Sequence, residues 1–224
     1  MMEAMRTRHA SIVAVLLLMV LVAGCSRAPT PEPTPTPQAS VTATPAVTPT
    51  PTPTVAVTPG QPIPQVVQDV VLAGVANEPA RMAALAKYQQ VACTTAQGAG
   101  GPPKCPPGTA AGTSMRVFAT GACEGEWAED AAGAIARLMA RPLQLYAAAQ
   151  VRVPSPDPEP IWPKGQYVVV FSASAPATGS PSTVYFVLDG ANVLRAHATC
   201  DSAPGGEAAL LRTLGVTSYL IAPR

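Results

Sequence analysis

Three patterns of apolar and polar positions divide the chain, and each predicts a different kind of segment. A strongly apolar run from Ala10 to Ala23 follows Arg6, Arg8 and His9. At about fourteen residues it falls short of the roughly 20 needed for a membrane-spanning helix. From Ala28 to Pro64 there is no apolar period: Pro and Thr alternate, with 12 Pro and 10 Thr among 37 residues and Glu32 as the one charge. Proline removes backbone donors and fixes φ, so this stretch builds no core and reads as an extended spacer of about 100 Å. From Gln65 onward helical and strand periods take over.

Val66, Val67, Val70, Val71 and Val75 recur at helical spacing and predict a helix over 65–76. Asn77-Glu78-Pro79 reads as the start of a second helix, with Asn77 as cap, running through Met82 and Leu85 to about Gln90. Cys93 to Gly112 is Gly- and Pro-rich and reads as a loop. Ser114 to Thr120 suggests a short strand, and Trp127 to Arg141 a helix stopped by Pro142. The period then changes to two. Leu143 to Val153, Gln166 to Ala173, Thr183 to Leu188 and Val193 to Thr199 read as strands, the last two joined through Asp189-Gly190-Ala191-Asn192. Glu207 to Leu214 predicts a final helix closed by Gly215, and Val216 to Ile221 a final strand. Strands and helices do not alternate regularly, which disfavours a doubly wound parallel sheet and gives an α+β class.

Composition places the core. All ten aromatic residues lie in residues 65–224, a length sufficient for one domain. Setting aside residues 1–24, with Arg6, Arg8 and Glu3, leaves twelve basic and twelve acidic residues. A balanced chain with few charges argues against nucleic acid as a partner, which demands clustered positive charge.

The basic start, apolar run and small residues have the layout of a secretory signal over residues 1–24. Val22-Ala23-Gly24-Cys25 resembles the bacterial lipobox. That resemblance implies lipidation of Cys25, cleavage just before it, and a protein held on the extracytoplasmic face of the cell membrane. Residues 25–64 then form the lipidated end and its linker, and 65–224 the folded domain. The element order of residues 65–199 resembles that of the nuclear-transport-factor-like superfamily. The resemblance implies N-terminal helices packed on a mainly antiparallel curved sheet, enclosing a conical pocket.

Cys93, Cys105, Cys123 and Cys200 remain in the domain, an even number that in an exported chain predicts two disulfides. Cys93–Cys105 is the favoured pair because both lie in the Gly/Pro loop, leaving Cys123–Cys200. Gaps of 11, 17 and 76 residues and a lone domain histidine, His197, oppose a zinc site. No Gly-x-Ser-x-Gly, His-Glu-x-x-His or Walker motif is present, and no cofactor fingerprint.

Two constellations carry candidate chemistry. Glu124, Glu126, Glu129 and Asp130 surround Trp127, where carboxylates beside an aromatic can serve glycoside hydrolysis or hold a cation. Equally, Glu129 and Asp130 suit the first turn of a helix. Arg195 and His197 share one face of their strand, because side chains alternate. Facing a pocket, they can hold an anion or, with Asp201, do acid–base work; facing water, they are solvated. The sequence therefore favours an anchored, non-enzymatic domain that binds a ligand or partner or serves the envelope structurally. A small pocket enzyme, hydrolase or isomerase, using His197 with a carboxylate, is the alternative. Arg195, His197, Glu124 and Trp127 are the candidate pocket residues.

Overall fold

The computed structural model describes residues 62–153, 157, 159–173, 182–200 and 206–224, all within one compact unit, Pro51–Arg224. The expected signal segment, Cys25, the expected linker up to Gln61, and Asp201 lie outside the described residues.

Helices α1 (Gln65–Val75) and α2 (Pro79–Ala84) precede strands β1 (Gln89–Ala92), β2 (Ser114–Ala122) and β3 (Glu124–Ala128). Helix α3 (Ala131–Leu138) follows, then β4 (Leu143–Val151), β5 (Tyr167–Ala173), β6 (Ser182–Leu188) and β7 (Val193–Ala198). Helix α4 (Gly206–Thr213) and β8 (Val216–Ile221) close the domain. The class is α+β. The strands form one open sheet in the order β1-β2-β7-β6-β5-β4-β8, with β3 on β2, and only β2 and β7 run parallel.

Three sequence expectations are corrected. The second helix stops at Ala84, and Gln89-Gln90, expected as its tail, open β1 instead. Asn77 is not its cap: it sits at φ 53°, and Glu78 occupies the N-cap position without a side-chain bond. The helix expected from Trp127 begins only at Ala131, because Glu124–Ala128 pairs with β2 and places Trp127 in a strand. Asp130 caps α3 by accepting a hydrogen bond from the Gly133 N–H at 3.0 Å, and the Tyr88 hydroxyl accepts another from the Ala131 N–H.

The sheet has two apolar faces because its central strands alternate. One face, with Phe118, Val169, Phe171, Val184 and Phe186, meets Val66, Val67 and Val70 of α1, Met82 of α2 and Ile135 of α3. Gly74 is required here: a Cβ at this position would run into the Phe171 ring. The second face carries Ala147, Ala149, Val168, Val170, Tyr185 and Val187, packed by Leu211 of α4. Charged residues enter the fold on this second face.

The cysteines fall into two pairs at disulfide distance, Cys93 with Cys105 and Cys123 with Cys200, their Cα atoms 5.0 and 4.6 Å apart. The first pair closes the Gly/Pro loop. The second ties the β2–β3 turn, where Cys123 has φ 65°, to the residues following β7. Among the described residues no helix is long and apolar enough to cross a membrane.

Candidate functional site

Strand register builds the site. One row of paired residues crosses the second face: Trp127 on β3, Ala119 on β2, Arg195 on β7, Val187 on β6, Val168 on β5 and Ala149 on β4. Paired residues project to the same side, so Trp127 and Arg195 flank the small Ala119 on one face. Into the gap above Ala119 comes Trp162, from the proline-rich segment between β4 and β5. Trp162 stacks on Trp127 with ring centroids 5.0 Å apart and lies against Gly125, where a Cβ would enter its six-membered ring. The Trp127 indole N–H donates to the Gly101 carbonyl at 3.0 Å, which fastens the Gly/Pro loop to the same stack.

Arg195 continues this stack. Its guanidinium lies 4.7 Å from the Trp162 ring centroid and 5.9 Å from that of Tyr185. Arg195 is 5% exposed, and so is His197. Neither is a solvated residue. Arg195 Nη1 pairs with Glu159 Oε2 at 2.9 Å, a carboxylate whose side chain is 52% exposed. Its Nη2 lies 3.5 Å from His197 Nδ1, and its buried Nε–H has no partner among the described residues. A buried cation is compensated only when its donors are all met, and here one is not.

Burial, and then the Arg195 charge, push the His197 pKa down to about 4; the Glu159 carboxylate and a hydrogen bond to the Cys123 backbone oppose them more weakly. His197 is thus a neutral imidazole at physiological pH, tilted against Tyr185 at a centroid distance of 5.3 Å. Burial pushes the Tyr185 hydroxyl up as well.

Arg195 lines a cavity of about 300 Å³. Its floor is the second sheet face at Val151, Val168, Tyr185 and Val187. One wall is Leu210, Thr213 and Leu214 at α4, and the other is Asp157, Glu159, Pro163, Lys164 and Gly165. That second wall is pinned by Lys164, which pairs with Asp157 at 2.9 Å and donates to the Glu159 carbonyl. The bond with Lys164 lowers the Asp157 pKa.

The four candidate pocket residues do not share one pocket. Glu124 and Trp127 line a separate cavity of about 630 Å³, with Glu129 and the loop from Gly98 to Lys104. His197 lies behind Arg195, outside the lining of either cavity. Of the acidic cluster, Glu126 faces Arg137 at 3.7 Å on the surface and Asp130 is spent on the helix cap. Among the described residues no three His, Cys, Asp or Glu side chains converge as a metal site.

Sequence reasoning missed Glu159, Lys164 and above all Trp162. Trp162 sits among prolines with no period, and its only signal was the apolar pair Ile161-Trp162 in an otherwise polar, proline-rich loop. No family model, curated protein or solved structure matches this chain.

Proposed function

We propose that this chain is an exported lipoprotein, anchored through Cys25 on the extracytoplasmic face of the membrane, whose domain binds a small molecule in the cavity between the second sheet face and α4. The likeness in element order to the nuclear-transport-factor-like superfamily belongs to the same proposal. One observation carries the binding reading: Arg195, a buried cation lying against Trp162 and Tyr185, lines the wall of an otherwise largely apolar cavity. A concave apolar site with a few convergent polar groups is the usual form of a small-molecule site, and about 300 Å³ is the lower end of its range.

The pocket-enzyme alternative draws less support. His197 is neutral and needs a carboxylate to orient it, yet the charged side chain beside it is Arg195. The carboxylate foreseen for this role, Asp201, lies outside the described residues.

Two measurements test the proposal. Cys25→Ala should abolish incorporation of labelled fatty acid and move the protein out of the membrane fraction. A thermal-shift screen of small molecules should yield stabilising compounds whose effect vanishes in Leu214→Trp, which fills the cavity from the α4 side. Retention of Cys25→Ala in the membrane sinks the anchor, and a screen without cavity-dependent hits sinks the binding site.

A further inference from the structure

The charges around this cavity specify more than its shape does. Its lining carries three cations, Arg152, Lys164 and Arg195, and two carboxylates, Asp157 and Glu159. Lys164 is matched by Asp157 and Arg195 by Glu159, each at 2.9 Å. Arg152 has no ion pair among the described residues, so the lining holds a surplus of one positive charge. The rest of the surface is mostly apolar: Val151, Val168, Val187, Leu210 and Leu214.

We infer that the cavity takes a small organic monoanion, an apolar body ending in a carboxylate, with the Arg195 guanidinium as its anchor. This deepens the binding reading above and rests on it. The planar fork of a guanidinium matches a carboxylate better than it matches any single acceptor atom. Glu159 already shows the approach: its carboxylate reaches Nη1 from a half-exposed position on the loop, leaving Nε–H unmet. A ligand carboxylate entering from the cavity takes the place of Glu159 on the guanidinium and neutralises the surplus charge, while its body covers the valines and leucines. Trp162 and Tyr185 hold the guanidinium in place on its faces, so little side-chain freedom is lost on binding. Glu159 is then an internal competitor that occupies the anchor in the empty protein.

The test is calorimetric titration of octanoate, and of its neutral counterpart octanamide, into the full chain carrying Cys25→Ala. Octanoate should bind, and octanamide at least about tenfold more weakly. Glu159→Gln removes the competitor without touching the cavity floor and should tighten octanoate by about tenfold. Arg195→Met should abolish binding. Because Arg195 is part of the buried stack, Leu214→Trp provides a second loss variant that leaves the stack intact. Equal affinity for octanamide and octanoate overturns the inference and leaves the binding reading standing. A Glu159→Gln variant that binds octanoate no better, or binding that survives Leu214→Trp, also overturns it. Absence of binding by both compounds, together with a barren thermal-shift screen, overturns the two readings together.

Discussion

Trp162 covers Gly125 so closely that no other residue fits at that position of β3. The glycine lets the indole reach down to the sheet, stack on Trp127 and support the Arg195 guanidinium. Gly125→Ala should therefore displace Trp162 rather than strengthen the strand. We expect a loss of about 1–3 kcal/mol from overpacking. The fluorescence of the two tryptophans should shift to the red as Trp162 becomes wet. An unshifted spectrum with unchanged stability would show that the stack does not depend on this contact.

Gly74 poses the same question with propensity on the opposing side. In an exposed helix interior, Gly→Ala gains about 1 kcal/mol. In α1 the added methyl meets the buried Phe171 ring, which is edge-on to Phe186 and has no free space to move into. Overpacking of a filled core costs about 1–3 kcal/mol, so the net effect of Gly74→Ala should be destabilising. Chemical denaturation of the variant gives the sign, and stabilisation would mean that α1 is free to shift on the sheet.

His197 should make stability fall in mild acid. In the folded chain it titrates at about 4, and in the unfolded chain near its ordinary 6.5. Between those values the unfolded state binds a proton that the native state refuses, so falling pH favours unfolding. Its contribution is fully present above about pH 6.5 and is lost as pH falls towards 4, by about 3 kcal/mol at most. His197→Gln removes this titration. Denaturation midpoints of wild type and variant should therefore converge between pH 7 and pH 4.5, and parallel profiles would place His197 in water.

The two cysteine bridges should differ in weight. Cys93–Cys105 spans 12 positions and Cys123–Cys200 spans 77. Loop-closure entropy gives about 3 kcal/mol for the short bridge and about 4.5 for the long one. Cys123→Ser with Cys200→Ser should thus lower Tm more than Cys93→Ser with Cys105→Ser. Thiol labelling of denatured, unreduced protein should find none of these four cysteines free. Four reactive thiols would remove both bridges from the account.

The elements legible in the sequence were those whose own residues carry the period. Helix α1 shows its valines at helical spacing, and β5, β6 and β7 show nearly continuous apolar runs with a turn at Asp189-Gly190, where Asp189 Oδ1 accepts from the Ala191 and Asn192 N–H groups. β1 and β3 were illegible because tertiary pairing makes them. Gln89–Ala92 opens on two glutamines and Glu124–Ala128 is acidic and contains Gly125, and they are strands because β2 accepts them. The same logic separates the site residues. Alternation alone put Arg195 and His197 on one face, whereas Trp162 and Glu159 reach that face from a loop whose path no local pattern records.

The parallel contact between β2 and β7 sets the order in which the domain can be assembled. β1, β2 and β3 are neighbours in the chain and can pair with one another, as can β4 through β7. The two groups form one sheet only where Ala119 meets Arg195, and α3 packs on both β2 and β7. Contacts between distant positions form late because the intervening chain must first surrender its freedom. The β2–β7 joint, like that between β4 and β8, brings together positions far apart in the chain, and the Arg195 stack is built across it. A chain refolding with Cys123 and Cys200 joined begins with the two halves already adjacent, whereas a reduced chain must bring them together by diffusion.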